Sequence, residues 1–333
     1  MISVVSLFSG CGGLDLGFKK AGFNIVYAND IDKDACYTYK QNIGEHIVCE
    51  DISKVDINTI SDADILIGGF PCLGFTVANG KNRDVNSAYN SLYLEYARVL
   101  KAKQPKYFLV ENVVGIKSGE EFKNNFENNI LKTFSDCGYK VKYQILNAKD
   151  FLVPQNRKRV IILGTRNDIK KEVCFPKPIL LKENTLKDAI FDLPSNYDEN
   201  VPNHTGSKHK IKINGYIGNR KLDWNKPSPT ITGRGSRSGG AVIHPHPNLT
   251  RRLSIRECAR IQSFPDDFIF YGSNGACFAH IGNAVPPLMG FFVANEFLKV
   301  FNKNEANLLN WELPYLKNNT KFNLNSFAIK CFK

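Results

Sequence analysis

The sequence contains no feature that would place the protein in a membrane or cross-link it covalently. Its longest apolar runs, such as residues 160–163, fall far short of the roughly 20 residues that span a bilayer. The N-terminus has no basic stretch followed by a small-residue cleavage site and is typical of a strand, so we expect a cytoplasmic protein. The nine cysteines include no C-x-x-C pair and cannot all form disulfides within one chain, and no metal site is expected.

The composition is that of a globular protein with a basic surface. Of its 333 residues, 43% are hydrophobic and 11% aromatic, enough for one large domain or two modest ones. The formal net charge of +12 favours a polyanionic partner. Residues 203–250 hold eight of the basic residues and a single acid. Charge alone does not distinguish a nucleic-acid site from a solvated lysine-rich face.

The first half of the chain alternates strand-like and helix-like segments. Strands are predicted at residues 2–8, 24–28, 47–48, 65–67, 107–110, 139–146 and 160–163, and helices at 14–21, 33–41, 92–102 and 122–134. This alternation predicts an α/β fold with a doubly wound, mostly parallel sheet. After residue 165 prolines and glycines interrupt the pattern, which indicates a smaller, irregular second domain. Helices are predicted again at 254–262 and 287–301.

A glycine-rich loop follows the first predicted strand. Its glycines, among them Gly10 and Gly13, would let the backbone approach a ligand closely, although a plain tight turn would also use them. Asp30, about twenty residues on, has the spacing of an acid that binds ribose hydroxyls. Asp51 could accept the amino group of adenine. Because G-x-G-x-x-G and a phosphate anchor are both missing, the loop suits an uncharged adenosine-type cofactor better than a dinucleotide.

Three further segments carry reactive side chains at or near predicted strand ends. Cys72 follows the fourth strand in a loop stiffened by Pro71, and Glu111 ends the fifth strand. The usual strand order makes the first, fourth and fifth strands neighbours, so the glycine loop, Cys72 and Glu111 should share one edge. Arg157 and Arg159 would share one face of an extended segment and suit a phosphate or a base carbonyl. Without any catalytic role, these residues would be a buried cysteine, a helix-capping acid and a solvated strand end.

Together, these segments closely resemble the cytosine-C5 DNA methyltransferases of bacterial restriction–modification systems. The resemblance runs from residue 6 to about 288 and rests on six motifs in order. They are FSGCGGL at 8–14, PC at 71–72, ENV at 111–113, QNRKR at 155–159, RLSIRECARIQSFPD at 252–266 and GNAVP at 282–286. The resemblance implies the fold of S-adenosylmethionine-dependent methyltransferases.

The resemblance also implies a mechanism and its residues. Cys72 would attack C6 of a flipped cytosine, Glu111 would donate to N3, and Arg159 would bond O2. Arg157 would lie near Glu111 or the flanking phosphate. The implied cofactor is S-adenosyl-L-methionine, leaving as S-adenosyl-L-homocysteine. Its expected contacts are Phe8, Gly10, Gly13, Asp30, Ile31, Asp51, Ile52, Pro71, Leu92 and Asn283.

The expected domain division follows the same pattern. Residues 1–165 with 282–333 would form the catalytic, cofactor-binding domain, 166–250 the target-recognition domain, and 251–281 a hinge. Thr230, with Ile231, resembles the Thr-plus-aliphatic pair of the family's recognition domains. The expected DNA contacts are Arg220, Thr230, Arg234 and Arg237. The expected partners are double-stranded DNA and, functionally rather than physically, a cognate restriction endonuclease, with the protein acting as a monomer.

Two positions depart from the family pattern, and three rival functions stay open. Leu73 stands where the family usually has Gln, and Tyr89 and Asn90 stand where an Arg-Gly pair is common. Both changes lie in the loop expected to close over DNA. The same chemistry would fit a transfer-RNA cytosine methyltransferase, although the extended basic domain favours duplex DNA. A catalytically silent DNA-binding subunit is a second rival, and a nicotinamide oxidoreductase is the least favoured because the pyrophosphate motif is missing.

Overall fold

A computed structural model describes residues 1–71, 91–117, 119–179, 182–207, 210–211, 213–215, 218–233, 243–306, 308 and 311–317. Its strands are β1 (Ser3–Leu7), β2 (Asn24–Asp30), β3 (Ile47–Cys49), β4 (Ile65–Gly68), β5 (Tyr107–Val113), β6 (Tyr139–Asn147), β7 (Gln155–Asn156), β8 (Lys158–Arg166) and β9 (Ser228–Pro229). Its α-helices are α1 (Gly13–Lys20), α2 (Lys33–Asn42), α3 (Leu92–Lys103), α4 (Glu120–Asn125), α5 (Lys132–Asp136), α6 (Leu186–Ile190), α7 (Ile255–Ile261), α8 (Asn274–Asn283), α9 (Pro287–Val300) and α10 (Pro314–Lys317).

Seven strands form one sheet in the order β3-β2-β1-β4-β5-β8-β6. Neighbours from β3 to β5 are parallel, whereas β8 runs antiparallel to both β5 and β6. The predicted adjacency of the first, fourth and fifth strands is confirmed. Because β1, β4 and β5 are parallel neighbours, the loops that follow them meet at one edge of the sheet, which is where ligands bind in such folds.

The helices flank this sheet and lie close to one another where glycine permits. Helix α1 packs against α9, and a Cβ added to Gly17 would lie 2.6 Å from the backbone nitrogen of Phe291 and from the carbonyl oxygen of Pro287. No larger residue could occupy that position without moving the two helices apart. The segment predicted as one helix at 122–134 is instead α4, a π-helical stretch Phe126–Leu131, and α5.

The remainder of the chain adds elements that the pattern did not predict. Helix α6 lies within the irregular region, and helix α8 ends directly before the loop that leads into α9. Beyond residue 302 the chain still contributes to the core, because Trp311 and Tyr315 are buried and Trp311 packs edge-on against Phe291. Within the described chain, Asn274–Val300 is the one stretch long and apolar enough to cross a membrane, and 78% of its window is buried inside the molecule.

Candidate active site

The ends of β4 and β5 bring the glycine-flanked loop and Glu111 together. A Cβ on Gly69 would lie 3.1 Å from a carboxyl oxygen of Glu111, so the glycine leaves room for this side chain. Asn112 fixes the loop, because its amide Nδ2 donates to the carbonyl oxygen of Phe70 at 3.2 Å. Pro71 is exposed directly after it, and Cys72 lies outside the described residues. The loop that leads to Cys72 is therefore held beside Glu111.

Glu111 forms an ion pair with Arg159. The pair joins β5 to β8, with Arg159 Nε 2.8 Å from Glu111 Oε1, and both side chains are about nine-tenths buried. Burial lowers the pKa of Arg159, and the negative charge of Glu111 opposes that shift. The guanidinium also donates from Nη1 to the carbonyl oxygen of Lys158 at 2.8 Å. A carboxyl and a guanidinium are thus placed side by side, with a small exposed surface facing the cleft described below.

Arg157, two residues before Arg159, has a different environment. It is fully buried, and its Nη1 and Nη2 atoms donate to the carbonyl oxygens of Ile231 at 2.8 Å, Gly282 at 2.8 Å and Ala284 at 2.9 Å. Burial lowers its pKa well below the usual value. Its Nη atoms donate to backbone carbonyls and its Nε has no hydrogen-bond partner in the described chain, while the charge of Glu111 influences its pKa. The expectation that Arg157 lies near Glu111 or the flanking phosphate stays a prediction. Arg157 connects three chain segments beneath the site.

A buried pair of glutamines supports the same junction. Gln155 donates from Nε2 to Gln262 Oε1 at 2.7 Å and accepts the backbone N–H of Ile231 at 2.9 Å. Gln262 in turn donates to the carbonyl oxygen of Ile281 at 2.5 Å. Sequence reasoning assigned no role to Gln262. These side chains hold residues 155–157, 231 and 281–284 in one arrangement.

On the other side of β1, the glycine loop and Asp30 form a cradle. Asp30 accepts the backbone N–H of Gly10 at Oδ2 (2.7 Å) and that of Asp32 at Oδ1 (2.9 Å). Burial raises the pKa of the Asp30 carboxyl, and these backbone donors oppose that shift. Gly10 has a φ of 55°, and a Cβ there would meet no atom within 4 Å. The open space beside Gly10 lets a cofactor approach the backbone closely, and the neighbouring carboxyl of Asp30 is placed to accept a hydrogen bond from it.

The other predicted cofactor residues lie at several strand and helix ends. Phe8 and Asp51 follow β1 and β3, and the Asp51 carboxylate accepts from the backbone N–H of Ser53 at 3.0 Å, which lowers its pKa. The side chain of Ile31 is 66% exposed directly after β2. The remaining positions are Ile52, which is buried, Pro71 after β4, Leu92 at the start of α3 and Asn283 at the end of α8.

Gly13 packs tightly against neighbouring atoms, whereas the space beside Gly10 is open. A Cβ at this position would lie 2.4 Å from the carbonyl oxygen of Val285 and 3.0 Å from Ala284 Cβ. The glycine loop therefore packs directly against the segment that follows Asn283. Close backbone approach between Gly13 and Val285 thus brings residues from the two ends of the chain to one place.

A cleft of about 460 Å³ opens beside the Glu111–Arg159 pair. It is lined by basic and polar residues, namely Asn156, Lys158, Arg159, Arg220, Thr230, Thr232 and His244, together with Val114 and Pro229. The expected DNA contacts Arg220 and Thr230 are therefore at its wall, and the Thr230 hydroxyl donates to the carbonyl oxygen of Asn156 at 2.8 Å. Arg234 and Arg237 lie outside the described residues. Sequence reasoning missed Lys158 and His244.

Comparisons with known proteins agree with this geometry. The sequence profile of the C-5 cytosine-specific DNA methylase family matches residues 2–299. The chain is 40% identical to the type II methyltransferase M.MthTI of Methanothermobacter thermautotrophicus, over 93% of this chain and 99% of that one. It is 35% identical to the type II methyltransferase M.NgoPII of Neisseria gonorrhoeae, over 91% and 97%.

Among solved structures, the fold is similar to that of a prophage-encoded protein from E. coli described as a DNA modification methyltransferase. The TM-score is 0.74 at 24% identity, and the match covers 91% of this chain and all of that one. The mostly parallel sheet with its one reversed strand is the fold expected of methyltransferases that use S-adenosylmethionine. The chain belongs to the C-5 cytosine-specific DNA methylase family and is a DNA (cytosine-5-)-methyltransferase.

Proposed function

We propose that this methyltransferase modifies a cytosine within a specific duplex sequence, by a covalent route that begins at Cys72. The observation that supports it best is the Glu111–Arg159 ion pair, with Nε and Oε1 2.8 Å apart, beside the loop that leads to Cys72. Cytosine C6 is a poor electrophile, so attack needs a soft thiolate and a proton donor at N3. In the proposed complex Cys72 would supply the thiolate and Glu111 the proton, with the cation of Arg159 beside Glu111.

Electrons and protons balance in every step of this route. The Cys72 thiolate bonds to C6 while Glu111, protonated in the complex, donates to N3, so that the electron pair of the C5–C6 double bond becomes available at C5. C5 then takes the methyl group, water accepts the C5 proton as the C6–S bond breaks and the thiolate is regenerated, and the N3 proton returns to Glu111. Arg159 would bond the O2 atom of the base, a contact that forked guanidinium donors suit. A base stacked in a duplex cannot be attacked in this way, so the cytosine must first be flipped out.

The cradle around Asp30 fits S-adenosyl-L-methionine, which would supply the methyl group and leave as S-adenosyl-L-homocysteine. Asp30 would accept the ribose hydroxyls, and the open face of Gly10 would permit close approach. Asp51 would accept the adenine amino group, while the exposed Ile31 would cover the ring. Phe8, Ile52, Pro71, Leu92 and Asn283 would complete this site.

The DNA would lie across the cleft. Lys158 and Arg220 line it, and cations at such positions neutralise phosphates. Residues 166–250 would form the recognition domain, 251–281 a hinge, and 1–165 with 282–333 the catalytic domain. The likeness to type II methyltransferases supports a cytoplasmic role in a restriction–modification system, in which a separate endonuclease cuts the unmodified sequence. The enzyme would act as a monomer, because one chain carries all the residues named above.

A trapped intermediate tests this mechanism. Bisulfite sequencing of DNA from a host that expresses the protein first gives the methylated sequence. Duplex DNA with 5-fluorocytosine at the target should then form an adduct that survives denaturing gels, only when S-adenosyl-L-methionine is present, because fluorine at C5 cannot leave as a cation. Cys72→Ser should abolish the adduct, whereas Glu111→Gln should slow it severely but leave some.

One control variant and three possible outcomes separate this function from its rivals. Cys137→Ser is the matched thiol control, because this half-buried cysteine lies between α5 and β6 and should not affect the adduct. A full yield of adduct in Cys72→Ser would contradict the mechanism. Methylation of transfer RNA but not of duplex DNA would favour the RNA substrate, and DNA binding without any methyl transfer would favour a silent subunit.

A further inference from the structure

His244 has an unusual environment on the wall of the cleft. Only 2% of its surface is exposed, yet neither ring nitrogen makes a well-formed hydrogen bond within the described chain. The hydroxyl of Thr232, on the same wall, is also buried and without a partner in that part of the molecule. Buried polar groups are almost always paired, so these two groups have hydrogen-bonding capacity left for a ligand in the cleft.

The backbone around His244 is rigidly held. Its carbonyl oxygen accepts the N–H of Leu253 at 2.9 Å, and Pro245 forms a bridge with Arg252. The buried Arg252 guanidinium donates to the carbonyl oxygen of Ile243 at 2.6 Å and to that of Gly218 at 2.9 Å. The imidazole is therefore presented from a fixed position, as a group that reads a ligand must be.

The ring is uncharged near neutral pH. Burial lowers the pKa of His244 to about 4, and the charges of Arg220 and Arg252 add to that effect, while the nearby backbone of Thr230 opposes it. A neutral imidazole offers one donor and one acceptor. The cleft already holds the cations Lys158, Arg159 and Arg220 for phosphate and for the target base. A neutral group among them is suited to a base edge rather than to a phosphate.

We propose that His244, assisted by the hydroxyl of Thr232, hydrogen-bonds to the edge of a base in the recognition sequence and so determines specificity at one base pair. This inference rests on the proposed function, because it assumes that duplex DNA lies across this cleft. The inference gives His244, which the catalytic steps do not require, a role in recognising a base.

The test compares two neighbouring buried histidines. His244→Phe keeps the ring volume and removes both hydrogen-bonding atoms. His246→Phe is the matched control, because the His246 ring is already partnered: Asn248 N donates to Nδ1 at 3.3 Å, and Glu257 lies 3.6 Å from Nε2. Each variant is assayed with a library of duplexes that carry every single-base change in the recognition sequence, and kcat/KM is measured for each duplex.

His244→Phe should lower kcat/KM on the preferred sequence by about tenfold to hundredfold, the usual effect of one lost base contact. The variant should no longer discriminate between bases at one base pair, its preferences at the other positions should be kept, and cofactor affinity should stay unchanged. His246→Phe should lower the melting temperature without altering the order of preferred sequences. His244→Asn, which keeps a donor and an acceptor, should restore part of the preference and serves as the test if the Phe variant does not fold.

Different results overturn different statements. An unchanged order of preferred sequences in folded His244→Phe or His244→Asn protein would overturn this inference alone. An equal loss on every duplex, with a weaker dependence on salt, would mean a phosphate contact and would also overturn it. A wild-type chain that methylates no duplex would overturn the proposed function, and this inference with it.

Discussion

The parallel strands and the region from Leu186 to Ser254 are stabilised in opposite ways. In β1, β4 and β5 most side chains are apolar, and Val4, Ile67 and Leu109 are fully buried. Their backbone groups are paired by the sheet itself. In the second region regular structure is sparse, and Arg252 donates to the carbonyl oxygens of Lys210, Gly218 and Ile243.

This difference shows what replaces a sheet where the backbone is irregular. Buried carbonyls need donors, and an arginine offers five in a fixed geometry. Arg251 adds a two-point contact with Glu257, with distances of 2.7 and 2.8 Å, and Glu257 also completes the capping box of Ser254. Irregular chain is thus held by a few charged side chains, so single substitutions there should be more damaging than in the strands.

The largest effect is expected at the junction of the two regions. Arg157→Met keeps most of the volume but removes a donor from three carbonyl oxygens, of which only that of Ala284 keeps another, from Gln262 Nε2 at 3.3 Å, so the free energy of unfolding should fall by about 3–5 kcal/mol. Urea denaturation measures this. Arg159→Lys is the comparison variant, because it keeps a cation beside Glu111: activity should fall, with less than half the destabilisation. Equal destabilisation by the two variants would show that Arg157 is not the stronger connection.

The buried carboxyl of Asp15 gives a second test of how the region of parallel strands is stabilised, because its charge depends on pH. Asp15 is fully buried between Ser6 and Tyr39, which donate to it at 2.9 and 3.0 Å, and burial raises its pKa to about 6. The folded state therefore binds a proton more tightly than the unfolded state, whose pKa is near 3.8. Stability is lost as the pH rises between these values, by about 3 kcal/mol in total at 1.36 kcal/mol per unit.

Asp15→Asn removes this titration. Relative to the wild type, the variant should gain about 2–3 kcal/mol of unfolding free energy between pH 4 and pH 7, measured by urea denaturation at several pH values. The comparison uses the change with pH, so a constant cost from altered hydrogen bonds does not affect it. Parallel pH profiles of the two proteins would show that the carboxyl does not titrate in this window.

A substitution at Asp30 tests the cofactor site that we propose at the ends of the parallel strands. Asp30→Ala should weaken the binding of S-adenosyl-L-methionine by about 1.5–3 kcal/mol, as expected for a hydrogen bond to a charged group. Calorimetry measures the affinity, and circular dichroism checks that the fold is retained. Cofactor affinity equal to that of the wild type in a folded variant would remove Asp30 from the site. Methylated sequence and preference should stay unchanged, because the recognition region is untouched.

The smallest effect is expected on the outer surface. Lys132 and Asp136 form an exposed ion pair one turn apart on α5, with 2.7 Å between Nζ and Oδ2. Lys132→Ala should change the free energy of unfolding by no more than about 0.5 kcal/mol. A much larger change would contradict the view that the fold is stabilised by buried polar contacts rather than by charge pairs in general.

The sequence predicted the regular region well and the irregular one poorly, for a physical reason. Strand and helix periodicity depends on neighbouring residues, so β1, β4 and β5 and the meeting of the glycine loop and Glu111 at one edge followed from local patterns. Arg157 and Arg159 look equivalent in the sequence, since both are arginines on alternate positions. Their separate roles depend on residues 231 and 282–284, whose proximity no local pattern contains. His244 was missed for the same reason.

The close contact between α1 and α9 also has a consequence for the order of folding. Gly17 touches the backbone of Pro287 and Phe291, about 270 residues further along the chain. At about 5–20 residues per second, ribosomes need roughly 14–55 s to make the intervening chain. During that interval the apolar face of α1, with Leu14 and Phe18, lacks its contacts with Gly290 and Phe297 of α9. The nascent protein must therefore keep this face covered by provisional contacts or by a chaperone until its last long helix emerges.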